Sequence, residues 1–160
     1  MKDENRYTES EAHYYFATDF HTRTWNLLDL PTRTRDENER MLDYAYASKA
    51  HWRVTGTAVH HERGEWLLAR VYAVLGQVEQ SLHHAQRCME LLEDHKEEMK
   101  DIDFAFGYEA LARAYAIAGN KPQASNYIRL AQQAGEKISE KDDHDIFFHE
   151  FNGGNWNKMK

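Results

Sequence analysis

Ten histidines and one cysteine are the side chains of this sequence that most directly suggest metal chemistry. His61 lies four residues before Glu65, and His84 lies four residues before Cys88. In a helix this spacing places two side chains on one face, as two ligands of a transition metal require. The sequence has neither an HExxH motif nor paired CxxC motifs, and it does not show that the two pairs meet. We therefore expect surface or hydrogen-bonded histidines and no cofactor, with a His/Cys metal-dependent hydrolase as an alternative.

Arg53 and His60 form a second pattern that could support catalysis. Six residues separate them, a spacing that resembles the Arg-x4-6-His motif of helical HEPN-type ribonucleases. Gly56 lies between them and interrupts the helix that would carry both side chains. The chain contains no glycine-rich phosphate loop and no GxSxG motif. We therefore predict that the protein is not an enzyme, and keep a HEPN-like ribonuclease as a second alternative.

Charge and composition limit the partners of the chain. It has 160 residues, of which 41 % are hydrophobic and only two are proline, so we expect one folded domain. A net charge of −7 disfavours contact with phosphate backbones, and we expect no nucleic-acid partner. No apolar run approaches the roughly 20 residues that cross a bilayer, and residues 1–10 are polar and acidic, unlike a signal peptide. With a single cysteine, these features predict a cytoplasmic protein without a membrane partner.

A short segment occurs twice in the chain. Residues 68–76, with the sequence LARVYAVLG, match residues 111–119, LARAYAIAG, 43 residues later. Each copy leads into a second helical stretch. A period of a few tens of residues is typical of stacked helical hairpins, which bury their apolar faces only against neighbouring hairpins. We therefore expect Tyr72 and Tyr115 to occupy equivalent places, each packed within its own hairpin.

Local signals set the boundaries of the helices. Two threonine–glutamate pairs have the spacing of a capping box and should begin the first two helices, and one aspartate should cap the fifth. These residues are Thr8 with Glu11, Thr34 with Glu37, and Asp103. Gly76 and Gly119 should end the first helix of each repeat. Near the C-terminus, Ile146, Phe147 and Phe151 should cover the exposed end of the stack.

Together these signals predict a single all-α domain over residues 1–151. Its parts are a degenerate hairpin at 9–55, repeats at 58–95 and 103–140, and a capping helix at 142–151. Residues 152–160 are polar apart from one tryptophan, and we expect a flexible tail there.

The two copies resemble the tetratricopeptide repeat (TPR), in which large, small and glycine residues recur at fixed positions of a helical hairpin. One copy matches at Tyr108, Leu111, Ala112, Tyr115, Gly119, Ala124, Ile128 and Ala131, and the other at Leu68, Ala69, Tyr72, Gly76, Ser81, Ala85 and Cys88. The resemblance covers about residues 60–138. The period exceeds that of the family by about nine residues, and Glu65 takes the place of the first large residue. Elongated repeats of this kind resemble those of small bacterial proteins and regulator domains.

The resemblance also implies a binding surface, because the first helices of TPR hairpins line a concave groove. The positions that correspond to groove residues are Arg63, Trp66, Arg70, Ala73, Val74, Phe106, Glu109, Arg113, Ala116 and Ile117. Arginines there could hold a carboxylate or phosphate group, with Trp66 and Phe106 against apolar parts of an extended peptide. In the alternative interpretation, Arg70 pairs with Glu109 and the two aromatic residues pack between repeats.

The resemblance and the repeat predict an all-α, TPR-like right-handed array of antiparallel helical hairpins. We expect a non-catalytic protein or peptide interaction module, with a regulatory role as one option. The predicted groove consists of Arg63, Trp66, Arg70, Phe106, Glu109 and Arg113, and the expected partner carries an acidic or carboxylate group. Assembly of two copies into a homodimer is an alternative that the sequence leaves open.

Overall fold

A computed structural model describes residues 6–160, and every regular element in that range is helical, which confirms the all-α prediction. The helices are α1 (Glu9–Leu28), α2 (Arg35–Thr55), α3 (Ala58–Val74), α4 (Val78–Asp94), α5 (Asp101–Ile117), α6 (Lys121–Glu136) and α7 (Lys141–Asn152), with a short 3₁₀ turn at Lys96–Glu98. Residues 1–5 of the predicted domain and of its polar N-terminus lie outside this range. Within it, no helix combines the length and the hydropathy that a membrane span requires.

The first two helices begin where their capping boxes predict. The Thr8 hydroxyl accepts a hydrogen bond from the Glu11 amide, and the Glu11 carboxylate accepts one from the Thr8 amide. Thr34 and Glu37 do the same for α2. The prediction for α5 was wrong, because its N-cap is Lys100 and Asp103 lies in the first turn. From there the Asp103 carboxylate accepts a hydrogen bond from the Lys100 amide at 2.9 Å. It thus pairs a backbone N–H group at the start of the helix from a position inside the helix.

Neighbouring helices along the chain pack against each other, and α3, α5 and α7 also contact one another in sequence. The hairpins α3–α4 and α5–α6 have corresponding features 43 residues apart. Gly76 and Gly119 follow the ends of α3 and α5 with φ of 72° and 73°, the left-handed conformation that closes a helix with backbone hydrogen bonds. Tyr72 stacks on His84 at 5.6 Å between ring centroids, and Tyr115 stacks on Tyr127 at 5.7 Å.

The C-terminal region differs from its prediction. Phe147 and Phe151 are fully buried, as expected for residues that cover the end of a stack, but Ile146 is 53 % exposed. We expected a flexible tail at 152–160, yet Trp156 is buried and donates its indole N–H to the Phe151 carbonyl at 3.1 Å. The tail therefore packs on α7, because burial of one large aromatic ring stabilises an otherwise polar segment.

Candidate functional site

Side chains from α1, α3, α5 and α7 line two neighbouring cavities that share Trp25 and Glu150. We call the first the arginine cavity, about 330 Å³ in volume, because Arg33, Arg70 and Arg113 line it. We call the second the aromatic cavity, about 520 Å³, because Trp25, Trp66 and Phe106 line it. Most of the predicted groove positions lie at one cavity or the other. Arg70, Ala73, Val74, Arg113 and Ile117 line the arginine cavity, and Arg63, Trp66 and Phe106 line the aromatic cavity.

Glu109 is fully buried and contacts lining residues of both cavities. Its carboxylate accepts hydrogen bonds from Arg70 Nη1 at 3.0 Å, from Trp66 Nε1 at 3.1 Å and from Arg113 Nε. A buried carboxylate requires such donors to offset the loss of hydration. The structure thus contains the Arg70–Glu109 pair of the alternative interpretation, and four of the six predicted groove residues meet in one network.

Arg113 is an internal anchor rather than a solvent-facing cation. Only 4 % of its side chain is exposed, and its Nη2 donates to the carbonyl oxygens of Glu150 at 2.7 Å and Gly153 at 3.0 Å. Its guanidinium also lies 4.0 Å from the ring centroid of Trp156. A Cβ on Gly154, where φ is +77°, would lie 2.8 Å from Arg113 Nη1, so only glycine fits there. Arg113 therefore joins the tail to α5.

Arg33 has a comparable structural role in the loop between α1 and α2. Its Nη1 donates to the carbonyl oxygens of Leu27, Leu28 and Leu30 at 3.1–3.4 Å. These carbonyls close the C-terminal end of α1, where a cation is favourable. Sequence analysis did not identify Arg33 as a cavity residue. Its hydrogen bonds are local, but its approach to Arg70 depends on how α1 packs against α3, where Trp25 stacks on Trp66.

Arg70 is less completely paired than the other two arginines. Its Nη2 lies 3.4 Å from Glu150 Oε2, and its Nε is buried without a hydrogen-bond partner. Burial lowers the pKa of Arg70, Glu109 opposes that change, and the neighbouring Arg113 adds to it. A guanidinium group that lines a cavity and has an unpaired N–H is one that an anionic group could stabilise.

Aromatic rings form part of the wall of the aromatic cavity, and more carboxyl groups than cationic groups line it. Trp66 stacks on Trp25 at 5.6 Å between ring centroids and contacts the Phe106 ring at 4.8 Å. Arg63, whose side chain is 47 % exposed, donates its Nε to Asp103 at 2.8 Å. The sequence placed Arg63 in one patch with Arg70 and Arg113, but the structure places it in this second cavity, already paired.

Glu62 is the acidic residue that sequence analysis missed. It lines the aromatic cavity, is only 1 % exposed, and accepts the Cys88 thiol on Oε1 at 2.9 Å, while its Oε2 has no partner. Burial raises the pKa of Glu62 to about 8. The Cys88 hydrogen bond opposes this rise, the Asp103 charge adds to it, and the Arg63 charge opposes it. Comparison of the two repeats could have identified Glu62, because the equivalent position 43 residues later is an alanine, Ala105.

Of the four residues considered as metal ligands, Glu65 and His84 contact each other, whereas His61 and Cys88 have other partners. His84 Nδ1 lies 2.6 Å from Glu65 Oε2, and the other Glu65 oxygen lies 2.6 Å from Lys49 Nζ. Cys88 contacts Glu62, while His61 Nε2 lies 3.1 Å from the Trp52 carbonyl. Residues 6–160 contain no group of three or more His, Cys, Asp or Glu side chains that could hold a metal ion.

The two residues that resemble a ribonuclease motif also have different surroundings. His60 stacks on Trp52 at 4.0 Å between ring centroids, and its Nδ1 accepts the Thr57 amide at 3.0 Å. Arg53 is exposed on α2. The imidazole thus has a structural role at the start of α3, where it completes a capping arrangement with Thr57.

Comparison with known proteins adds no assignment to this geometry: no protein-family model, curated protein or solved structure matches the chain.

Proposed function

We propose that the chain is a TPR-like module, a right-handed array of helical hairpins that binds a protein or peptide on the face formed by α1, α3, α5 and α7. Three features support this architecture. Consecutive helices pack as neighbours, two hairpins have equivalent turns and tyrosine stacks 43 residues apart, and the odd-numbered helices share one cavity-lined face. An array of this kind presents one extended surface to its partner.

The observation that carries the proposal is Arg70, whose side chain lines the arginine cavity and whose buried Nε has no hydrogen-bond partner. Arg33 and Arg113 keep their guanidinium groups nearby but direct them to backbone carbonyls and to Glu109. Arg70 is therefore the anchor for the partner, and the other two arginines provide a positive surrounding. A side-chain carboxylate or a chain-terminal carboxylate would satisfy the donor and fit a cavity of about 330 Å³.

The test is selection of peptides from a random library displayed with free C-terminal carboxylates, followed by calorimetry. We expect selected peptides to carry a terminal or side-chain carboxylate, and Arg70→Lys to weaken them at least tenfold, because lysine keeps the charge but loses the forked donor set. Binding should weaken with added salt. Arg129→Gln, which removes an exposed arginine from α6, is the matched control and should bind normally.

Circular dichroism must show that Arg70→Lys stays folded. Equal affinity of Arg70→Lys and the unchanged protein would overturn the proposal. So would a library that yields no binder.

A further inference from the structure

The aromatic cavity contains a group that the hairpin fold does not require. Glu62 and Cys88 form a buried polar pair in the α3–α4 hairpin, and the equivalent positions in α5–α6 are Ala105 and Ala131, both fully buried. Two alanines therefore suffice at this place in a hairpin. An unpartnered buried carboxyl oxygen costs stability, so its presence at the cavity wall calls for a partner that the chain does not itself supply.

The charges around the aromatic cavity indicate the sign of that partner. Four carboxyl groups line it, on Glu62, Asp103, Asp143 and Glu150. Asp103 is paired with Arg63 and Glu150 with Arg70. In the described part of the chain, Asp143 has no hydrogen bond or ion pair, although its charge acts on Arg63.

The remaining groups do not reverse this acidic balance. Lys100 is exposed and contributes to the cavity from its edge. Burial first and the Arg63 charge second lower the pKa of His21, which keeps its imidazole neutral at physiological pH. Among residues 6–160, Glu62 and Asp143 are thus the lining carboxyl groups that form no ion pair, although the charge of Arg63 acts on both.

The aromatic walls of the cavity indicate the chemistry of the uncharged part of the ligand. Trp66 and Phe106 lie 4.8 Å apart between ring centroids, and Trp25 continues the aromatic surface from α1. Aromatic faces bind both hydrocarbon groups and organic cations. We infer that the aromatic cavity binds an organic cation with an apolar body, whose ammonium or guanidinium group pairs with Glu62 and Asp143 while Trp66 and Phe106 contact the hydrocarbon part. This site does not depend on the anionic partner proposed for the arginine cavity.

Binding of such a cation is coupled to a proton. Burial keeps Glu62 largely protonated at pH 7, and a cation beside it favours the ionised form. The Glu62 O–H bond then breaks, its proton passes to the buffer, and the carboxylate stays with the ligand. An amine that binds as the ammonium ion should therefore release close to one proton per site.

The experiment compares three probes of similar shape: 2-phenylethylamine, 2-phenylethanol and 3-phenylpropanoate. Titration calorimetry at pH 7 in phosphate and in Tris, which differ in ionisation enthalpy, measures affinity and proton release together. We expect the amine to bind at least about tenfold more tightly than the alcohol, and the carboxylate to bind least tightly. Equal affinity of amine and alcohol would overturn the inference, as would failure of all three probes to bind.

Variants separate recognition by Glu62 from general packing. Glu62→Gln keeps the shape and removes the ionisable group, so it should remove the preference for amine over alcohol and the proton release, but retain alcohol binding. Asp143→Asn should weaken amine binding about threefold, and it is the second test if Glu62→Gln does not fold. The control Glu90→Gln, at an exposed glutamate of α4, should change neither property. A preference that persists in Glu62→Gln and in Asp143→Asn contradicts the inference.

Two further arms identify the source of the cation. Nα-acetyl-lysine methylamide represents a lysine side chain of a protein, whereas 2-phenylethylamine represents a free amine. The probe that binds with the higher affinity indicates the source of the cation. Arg70→Lys should retain the preference for amine over alcohol, because Glu62 and Asp143 do not contact Arg70, although Glu150, which does, belongs to both cavities. Failure of the anionic site and failure of the cationic site can thus be distinguished.

Discussion

The hairpins α3–α4 and α5–α6 have the same helical frame but different buried chemistry. Their helices begin 43 residues apart and their glycine turns have nearly the same φ. Yet α3 buries Glu62 and Glu65, where α5 has Ala105 and Tyr108. The comparison shows that the frame tolerates either set, because the frame is held by small residues and turn glycines that both hairpins share. The frame itself therefore does not require the extra carboxyl groups of the first hairpin.

The two glutamates of α3 also differ from each other. Desolvation opposes ionisation of Glu65, but hydrogen bonds from His84 and Lys49 more than offset it and lower the pKa to about 2. Glu62 has only a thiol as hydrogen-bond donor, and burial raises its pKa to about 8. Two carboxyl groups three residues apart on one helix thus have opposite preferences, because Glu65 accepts hydrogen bonds from His84 and Lys49, whereas Glu62 has a thiol donor and the more weakly acting charge of Arg63.

The strongest test of the comparison concerns Glu109, where the two hairpins are joined. Glu109→Gln leaves Arg70 and Arg113 without their shared buried carboxylate. We expect the free energy of unfolding, measured by urea denaturation, to fall by about 3–5 kcal/mol. Glu90→Gln on the surface should change it by less than about 0.5 kcal/mol. A loss below about 1 kcal/mol for Glu109→Gln would mean that the network does not hold the hairpins together.

The shared frame itself can be tested at one pair of positions. Ala69 and Ala112 are equivalent and almost completely buried. Replacing either alanine by phenylalanine should overpack the contact between helices and cost about 1–3 kcal/mol of unfolding free energy, with similar values at both sites. The same change at Ala50, which is exposed on α2, should cost much less. A large difference between Ala69→Phe and Ala112→Phe would show that the two hairpins are not packed equivalently.

The pH dependence of stability should distinguish the first hairpin from the second. Glu62 has a folded-state pKa of about 8, above its ordinary value of 4.5, so the stability that its protonated form contributes is complete below pH 4.5 and is lost as pH rises through 8. Between pH 6 and pH 7 the unchanged protein should lose up to about 1.4 kcal/mol relative to Glu62→Gln. Urea denaturation of both proteins at each pH gives this difference, in which the histidine contributions cancel. A difference that does not vary with pH would mean that Glu62 is ionised in the folded protein.

Sequence reasoning succeeded where neighbours along the chain determine the structure. The Thr8–Glu11 and Thr34–Glu37 capping boxes and the glycine turns are local, and the structure contains them all. It failed for the start of α5 because Asp103 can satisfy the helix start from the cap or from inside the first turn.

The tail and the site depend on contacts between distant residues. Trp156 packs against Arg113 on α5, and the approach of Arg33 to Arg70 in one cavity requires α1 to pack near α3. Neither contact corresponds to a periodic pattern of residue types in the sequence. The Arg70–Glu109 pair was one of two interpretations, because both residues occupy groove positions of neighbouring helices. Glu62 was overlooked as one charged residue among many, although comparison with Ala105 identifies it as unusual.

The smallest expected effect concerns metal. His84, Glu65 and Cys88 belong to the first hairpin alone, where the second has Tyr127, Tyr108 and Ala131. Elemental analysis of protein purified without a histidine tag should find far less than one zinc or nickel per chain, and His84→Ala should leave that value unchanged. The physical reason is that a metal needs a thiolate and free lone pairs. Burial raises the pKa of Cys88 well above its usual value, and His84 is already hydrogen-bonded to Glu65. One tightly held metal per chain that disappears in His84→Ala would show that these side chains rearrange, and would make the metal-dependent hydrolase the stronger interpretation of the first hairpin.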